Sequence, residues 1–202
     1  MTGCARRFKL VIVGVGGQGV LTVAIMVGDA ALAQDHNVVV GQLHGMSQRG
    51  GSVETTVLLG PGESSFVDAG DADVVLAFEP LEALRALPYM SADTHVVVNE
   101  GRVVPFPLSM QGKPYPDRQG IFAQIREVTP HLATLHGTRL VAQDLGEPRS
   151  LNMLMLGALA GLGLMPISSD ALRVASAHKS KPAHREINLR AFDLGLLSVS
   201  GQ

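Results

Sequence analysis

The sequence predicts an α/β fold with an open, mostly parallel sheet and helices on both faces. Two observations lead there. Short apolar runs rich in β-branched residues recur along the chain, as strands covered on both faces require. Between them the apolar spacing lengthens to that of a helix.

Phe8 to Val13 is the first such run, bounded by Gly14. Val20, Leu21, Ala24, Ile25, Gly28, Ala31 and Leu32 then recur at helical spacing, predicting a helix from about Gln18 to Ala33. Val38 to Val40 reads as a second strand that completes a βαβ start, and Ser52 to Leu59 alternates as a third. Asp73 to Phe78 is another buried strand, followed by Pro80 at a helix start, and His95 to Asn99 is the next. Four prolines between Val104 and Asp117 exclude sheet interior or helix, so a surface loop is expected near 104–118. Ile121 to Val128 reads as a helix, Arg139 to Ala142 as a strand and Leu151 to Leu164 as an apolar helix. Ser168 or Ser169 caps a helix running through Ala177, and Glu186 to Leu197 forms the last. One domain spanning residues 1–202 is expected, with C-terminal helices over 150–197.

Composition excludes several classes of function. The 202 residues are 46% hydrophobic, which argues against disorder. Sixteen Lys plus Arg against 18 Asp plus Glu leave no basic footprint for nucleic acid or a membrane surface. The single Cys4 cannot close an internal disulfide, make a structural zinc site or hold a four-thiolate cluster, and it points to a reducing, cytoplasmic compartment. Arg6-Arg7 precedes too short an apolar run for an export signal. The uncharged stretch Ser150 to Ser169 is interrupted by glycines, a proline and serines, so it reads as a buried helix rather than a membrane span. Its Gly157 to Gly161 spacing suits close helix packing. Charged residues are only 17%, against about 25% in typical domains. Either the core is large for this length or part of the surface is covered by something else.

Gly14-Val15-Gly16-Gly17-Gln18-Gly19 satisfies G-x-G-x-x-G between a strand and a helix, a Rossmann-like arrangement. Glycines permit the tight turn, and the helix N-terminus offers free N–H groups to a phosphate. A dinucleotide site also wants a carboxylate at the end of the second strand, where this chain has Gly41 and Gln42. Three readings stay open: a dinucleotide, a turn without ligand, or contacts to another phosphate or a partner. Gln48-Arg49-Gly50-Gly51-Ser52 sets backbone N–H groups beside a guanidinium, suited to a carboxylate, a phosphate or another chain, or else to a hairpin entry with a solvated arginine. Both loops follow strands expected to be parallel, so they should face one crevice. His44 is a hydrogen-bond donor within the second loop or a surface histidine. Glu79 and Glu100 end expected strands and either reach the crevice or are helix-start or loop carboxylates, and Asn152 bridges to a neighbour or begins a solvated helix. The histidines have no metal-ligand spacing, and no G-x-S-x-G marks a nucleophile.

Taken together, Gly14 to Val20 and His44-Gly45-Met46-Ser47-Gln48-Arg49-Gly50-Gly51-Ser52-Val53 resemble the gamma subunit or domain of the 2-oxoacid:ferredoxin oxidoreductases. Within that family they resemble the beta subunit of indolepyruvate ferredoxin oxidoreductase, whose branch the H-G-x-x-Q-R-G-G-S form favours. The similarity extends through Asp71 to Leu76, Glu79 to Ala83, Pro105-Phe106-Pro107, Asn152-Met153, Leu156-Gly157-Ala158 and Asn188 with Phe192 and Gly195, nearly the whole chain. The resemblance implies CoA-dependent oxidative decarboxylation of an aryl 2-oxoacid to an aryl-acetyl-CoA, carbon dioxide and reduced ferredoxin. Such chemistry needs thiamine diphosphate with magnesium and 4Fe-4S clusters. This chain has one cysteine and no G-D-G followed by an N-N pair, so it binds none of these alone. By similarity a larger alpha subunit carries them, and this chain docks against it and is inactive in isolation. Gly14, Gly16, Gly17, Gln18, Gly19, His44, Gln48, Arg49, Gly50, Gly51, Ser52 and Asn152 are the expected cofactor-binding or interface positions, with Arg49 facing an anionic group. The alternatives are a stand-alone NAD(P)-dependent oxidoreductase and a purely structural assembly subunit.

Overall fold

In the computed structural model, residues 6–44, 50–103 and 114–199 are described. Six strands, β1 (Phe8–Val15), β2 (Val38–His44), β3 (Ser52–Leu59), β4 (Val74–Ala77), β5 (His95–Asn99) and β6 (Leu132–Leu135), form one sheet in the order β2-β3-β1-β4-β5-β6. The right-hand part is parallel: Ile12 lies opposite Leu76, Leu76 opposite Val97 and Val97 opposite Ala133. β3 runs antiparallel to both neighbours, with Ser52 opposite Val15 and Val53 opposite His44. The sheet is therefore open and mostly parallel. The expected βαβ start is altered, because β3 folds back as a hairpin from β2 and inserts between β2 and β1.

Alternate residues of each strand face two apolar layers, as the strand period demands. Leu10, Ile12, Val57, Leu76 and Val97 pack beneath α1 (Val20–Leu32), α4 (Leu151–Gly161), α5 (Ser169–Lys179) and α6 (Arg185–Val199). Val11, Val13, Leu58, Val75 and Val98 pack against α2 (Pro80–Arg85) and α3 (Arg118–Val128). α3 starts a turn earlier than its apolar residues suggest because the Asp117 side chain accepts from Gly120 N at 3.0 Å and caps the helix. Most of the proline-rich loop lies outside the described residues. Ser168 caps α5 as expected, accepting from Ala171 N.

Arg139 to Ala142 is not a strand. β5 is already paired by Leu132 to Leu135, and the chain beyond it turns at Gly137–Arg139 into a π-helical turn, Leu140–Asp144, that buries Val141. The uncharged stretch enters the core: every residue from Met153 to Ala160 is buried. α4 ends at Gly161, three residues short of the expected Leu164, and Gly163 follows with φ +65°. α4 and α6 approach backbone to backbone. A Cβ on Gly157 would overlap the Phe192 carbonyl, and one on Gly195 would overlap the Leu154 carbonyl. No helix among the described residues is long and apolar enough to cross a membrane.

Gly157→Ala is expected to cost roughly 1–3 kcal/mol or more, since two backbones must separate, and urea denaturation measures it. At the opposite end of the sheet from the glycine loops, the His95 and His131 rings stack 4.3 Å apart. Burial first, then the His131 charge, lowers the His95 pKa. The neutral imidazole is thus favoured by folding. That stability is full above the free-histidine pKa of about 6.5 and declines as pH falls through the lowered folded value. Melting curves of His95→Asn between neutral and mildly acid pH should show a flatter dependence than the parent.

Candidate functional site at the C-terminal edge of the sheet

The two glycine loops meet. Gly16 N donates to the Gly51 carbonyl at 2.8 Å, and Gly50 N reaches the Gly16 carbonyl at 3.4 Å. Gly14 leaves no room for a side chain, since a Cβ would fall 2.7 Å from Val20 Cγ2 and 2.9 Å from Phe78 Cβ. Gly19 (φ 87°) precedes α1 without any side-chain cap, so the first-turn N–H groups stay open to a ligand or a partner. Asn152, half-buried at the start of α4, abuts Gly19. Its Oδ1 accepts from Met153 N. His44 is not in the second loop as expected but is the last residue of β2, opposite Val53, because Gly41 to His44 continue the ladder with β3; Gln48 and Arg49 lie outside the described residues.

The connections leaving β1 and β4 diverge to opposite faces and opposite sides of the sheet, so the switch point falls between these strands. Gln18 closes it. Its Oε1 accepts from Val15 N at 2.7 Å and its Nε2 donates to the Phe78 carbonyl at 3.2 Å. Buried Asn99 donates to the same carbonyl at 3.0 Å and accepts from Thr138 N at 3.1 Å. A dinucleotide fold keeps the second strand beside the first. Here β3 separates them, and the strand end that would carry a ribose-binding carboxylate is displaced by one strand spacing, about 4.8 Å. Both topology and the occupied switch point disfavour a nicotinamide dinucleotide.

Behind the second loop, the Ser52 hydroxyl donates to Glu82, which also accepts from Arg85 Nη1 at 2.7 Å. Glu79 caps α2 through Leu81 N (2.7 Å) and Glu82 N (3.2 Å) and accepts from the Tyr115 hydroxyl. Both carboxylates are buried, and burial is the largest cause raising their pKa values. The fold therefore favours their protonated forms. That contribution is present below the free carboxylate pKa and lost as pH rises through the raised values, so at neutral pH each ionised group opposes folding. Glu100 faces away from this pair, toward Arg118 at 2.8 Å and His136 at 3.3 Å.

Two hollows flank the start of α1 and share Thr22. One of ≈ 370 Å³ is lined by Gly16, Gly17, Gly19, Gln42 and Val53, and one of ≈ 300 Å³ by Asn152, Arg149, Lys179, Lys181 and Asn188. Among the described residues no group of three His, Cys, Asp or Glu side chains is placed to hold a metal ion. Asn99, Glu82 and Tyr115 were not singled out from the sequence. Only the polar ending of the apolar run His95 to Asn99 hinted at the first. Gln18→Ala orphans the Val15 N–H and is expected to cost about 1–3 kcal/mol, with faster amide exchange at Val15, whereas Gln18→Glu retains that acceptor.

Residues 9–198 match the family described as pyruvate ferredoxin/flavodoxin oxidoreductase. The chain is 40% identical over 187 residues to indolepyruvate oxidoreductase subunit IorB of Methanothermobacter thermautotrophicus, covering 92% of this chain and 94% of that one. It is 34% identical to the subunit of the same name from Archaeoglobus fulgidus, covering 97% and 98%. The keto/oxoacid ferredoxin oxidoreductase gamma subunit of Geobacter sulfurreducens superposes with a TM-score of 0.70 at 20% identity, covering 96% of this chain and 99% of that one, a likeness of fold. With its two docked glycine loops and full-length similarity, the chain belongs to the pyruvate ferredoxin/flavodoxin oxidoreductase family.

Proposed function

We propose that this chain is the subunit without clusters of an indolepyruvate, or aryl 2-oxoacid, ferredoxin oxidoreductase, and that its glycine-loop edge faces the catalytic partner. The observation that carries the reading is the Gly16–Gly51 docking at a switch point already filled by Gln18. That edge presents the tied backbones of two loops, with the switch point between β1 and β4 taken by the chain's own side chains. Relatives bearing the indolepyruvate name at 34–40% identity support the substrate class.

The chain's own donors do not fit the groups the reaction needs. One cysteine stands against the four thiolates of a 4Fe-4S cluster, so thiamine diphosphate, magnesium and the clusters belong to a larger partner subunit in a cytoplasmic complex that passes electrons to ferredoxin. This chain instead orders the edge against which that partner and the coenzyme A entrance are formed. Free first-turn amides of α1, Asn152 beside Gly19 and the Arg49 side chain supply donors for anionic groups there.

In the reconstituted complex, Arg49→Ala should lower turnover or raise the KM for coenzyme A by ~10-fold, the order expected for one charge-assisted hydrogen bond, while the isolated chain keeps its melting temperature. Unchanged kinetics contradict the assignment. Titration of the isolated chain with NAD(H) and NADP(H) should show no saturable binding.

A further inference from the structure

Position 82 lies in the buried first turn of α2, among buried Pro80, Leu81 and Ala83, where an apolar side chain would ordinarily sit. Glu82 is 1% exposed there. Burying a carboxylate is expensive unless its partners compensate, and partners of this kind often do no better than an apolar replacement. Arg85 does not explain the placement, because its side chain is 46% exposed and could pair as well with a solvated carboxylate. The remaining partner is Ser52, itself exposed, the residue that closes the second glycine loop and opens β3 opposite Val15.

The connection runs onward through the backbone. Ser52 follows Gly51, whose carbonyl takes the Gly16 N–H, and Gly50 (φ 73°) reaches back to the Gly16 carbonyl. A rotation of Ser52 would carry the Gly50–Gly51 turn away from the first loop. We propose that Glu82 is a positioning residue for the oxidoreductase reaction, holding Ser52 and with it the Gly50–Gly51 turn in the docked arrangement that the assembled complex uses. The inference rests on the loop edge facing the catalytic partner. It adds that a buried carboxylate is kept at a stability cost for the sake of that geometry. The raised pKa of Glu82, with Glu79 and Arg85 as its charged neighbours, agrees with a group the fold alone does not favour.

Glu82→Met tests this through opposite responses of stability and activity, with Glu82→Gln as the variant that keeps the acceptor. In Glu82→Met the freed Ser52 hydroxyl and Arg85 guanidinium both reach solvent, so the full chain should melt at the same or a higher temperature than the parent. In the reconstituted complex Glu82→Met should lose ~10-fold or more in kcat/KM for coenzyme A, whereas Glu82→Gln, whose amide oxygen still accepts from the Ser52 hydroxyl, should keep most of it. Ser52→Ala should reproduce the loss and Ser52→Thr, which keeps the hydroxyl, should restore activity. A parallel loss of melting temperature and activity in Glu82→Met, or a Glu82→Gln variant as impaired as Glu82→Met, would overturn the proposal. Unchanged kinetics in Glu82→Met beside an impaired Arg49→Ala overturn this inference alone. Unchanged kinetics in both overturn it together with the reading of the loops.

Discussion

The Phe78 carbonyl, just past the end of β4, holds the functional edge together. It accepts from Gln18 on the β1 loop and from Asn99 at the end of β5, while the Phe78 N–H donates to the Val13 carbonyl. Three strand ends are thereby tied at one oxygen. A buried carbonyl has two lone pairs to satisfy, and both are used here by side-chain amides that could not make these contacts from any other position. Gly14 must be glycine for the Phe78 side chain to lie beside it, and the Val15 N–H is free to be taken by Gln18 only because the loop is this tight. The glycine loop keeps the outline of a phosphate-binding turn, with a hollow before Gly16, Gly17 and Gly19, while the switch point between β1 and β4 is occupied by Gln18 and Asn99.

Strands β1, β3, β4 and β5 were legible in the sequence because each is a compact apolar or alternating run with clear punctuation. Strand direction was not. Val53, Thr55 and Val57 alternate identically in a parallel or an antiparallel ladder, so the insertion of β3 beside β1 has no local signature. β6 has little signal of its own because Leu132 to Leu135 is only four residues long, and it takes the edge of β5 that Arg139 to Ala142 would need to form a strand. At the site, the two glycine motifs stood out. Glu82 and Tyr115 did not, because their partners lie 30 and 36 residues away and pairings at that range have no spacing rule.

The low charged fraction has one cause visible in the fold. The uncharged segment from Met153 to Ala160 is consumed inside the fold, where Gly157, Gly161 and Gly195 let α4 and α6 touch along their backbones. That part of the oddity needs no partner. Leu32, Phe66, Val174 and Leu197 are exposed, as single apolar residues on a folded surface commonly are. Against this apolar background, two buried carboxylates beside the loops are costly exceptions. Such exceptions belong where a fold trades stability for a fixed geometry.

Hydrogen–deuterium exchange of the full chain, alone and in complex with its catalytic partner, tests most directly whether the glycine-loop edge is the docked and working surface. The amides of Gly17, Gly19, Val20 and Leu21 head an uncapped helix and should exchange quickly in the free chain and slow sharply on assembly. Unchanged exchange at these amides, with protection confined to another face, would contradict the placement of this edge against the catalytic subunit.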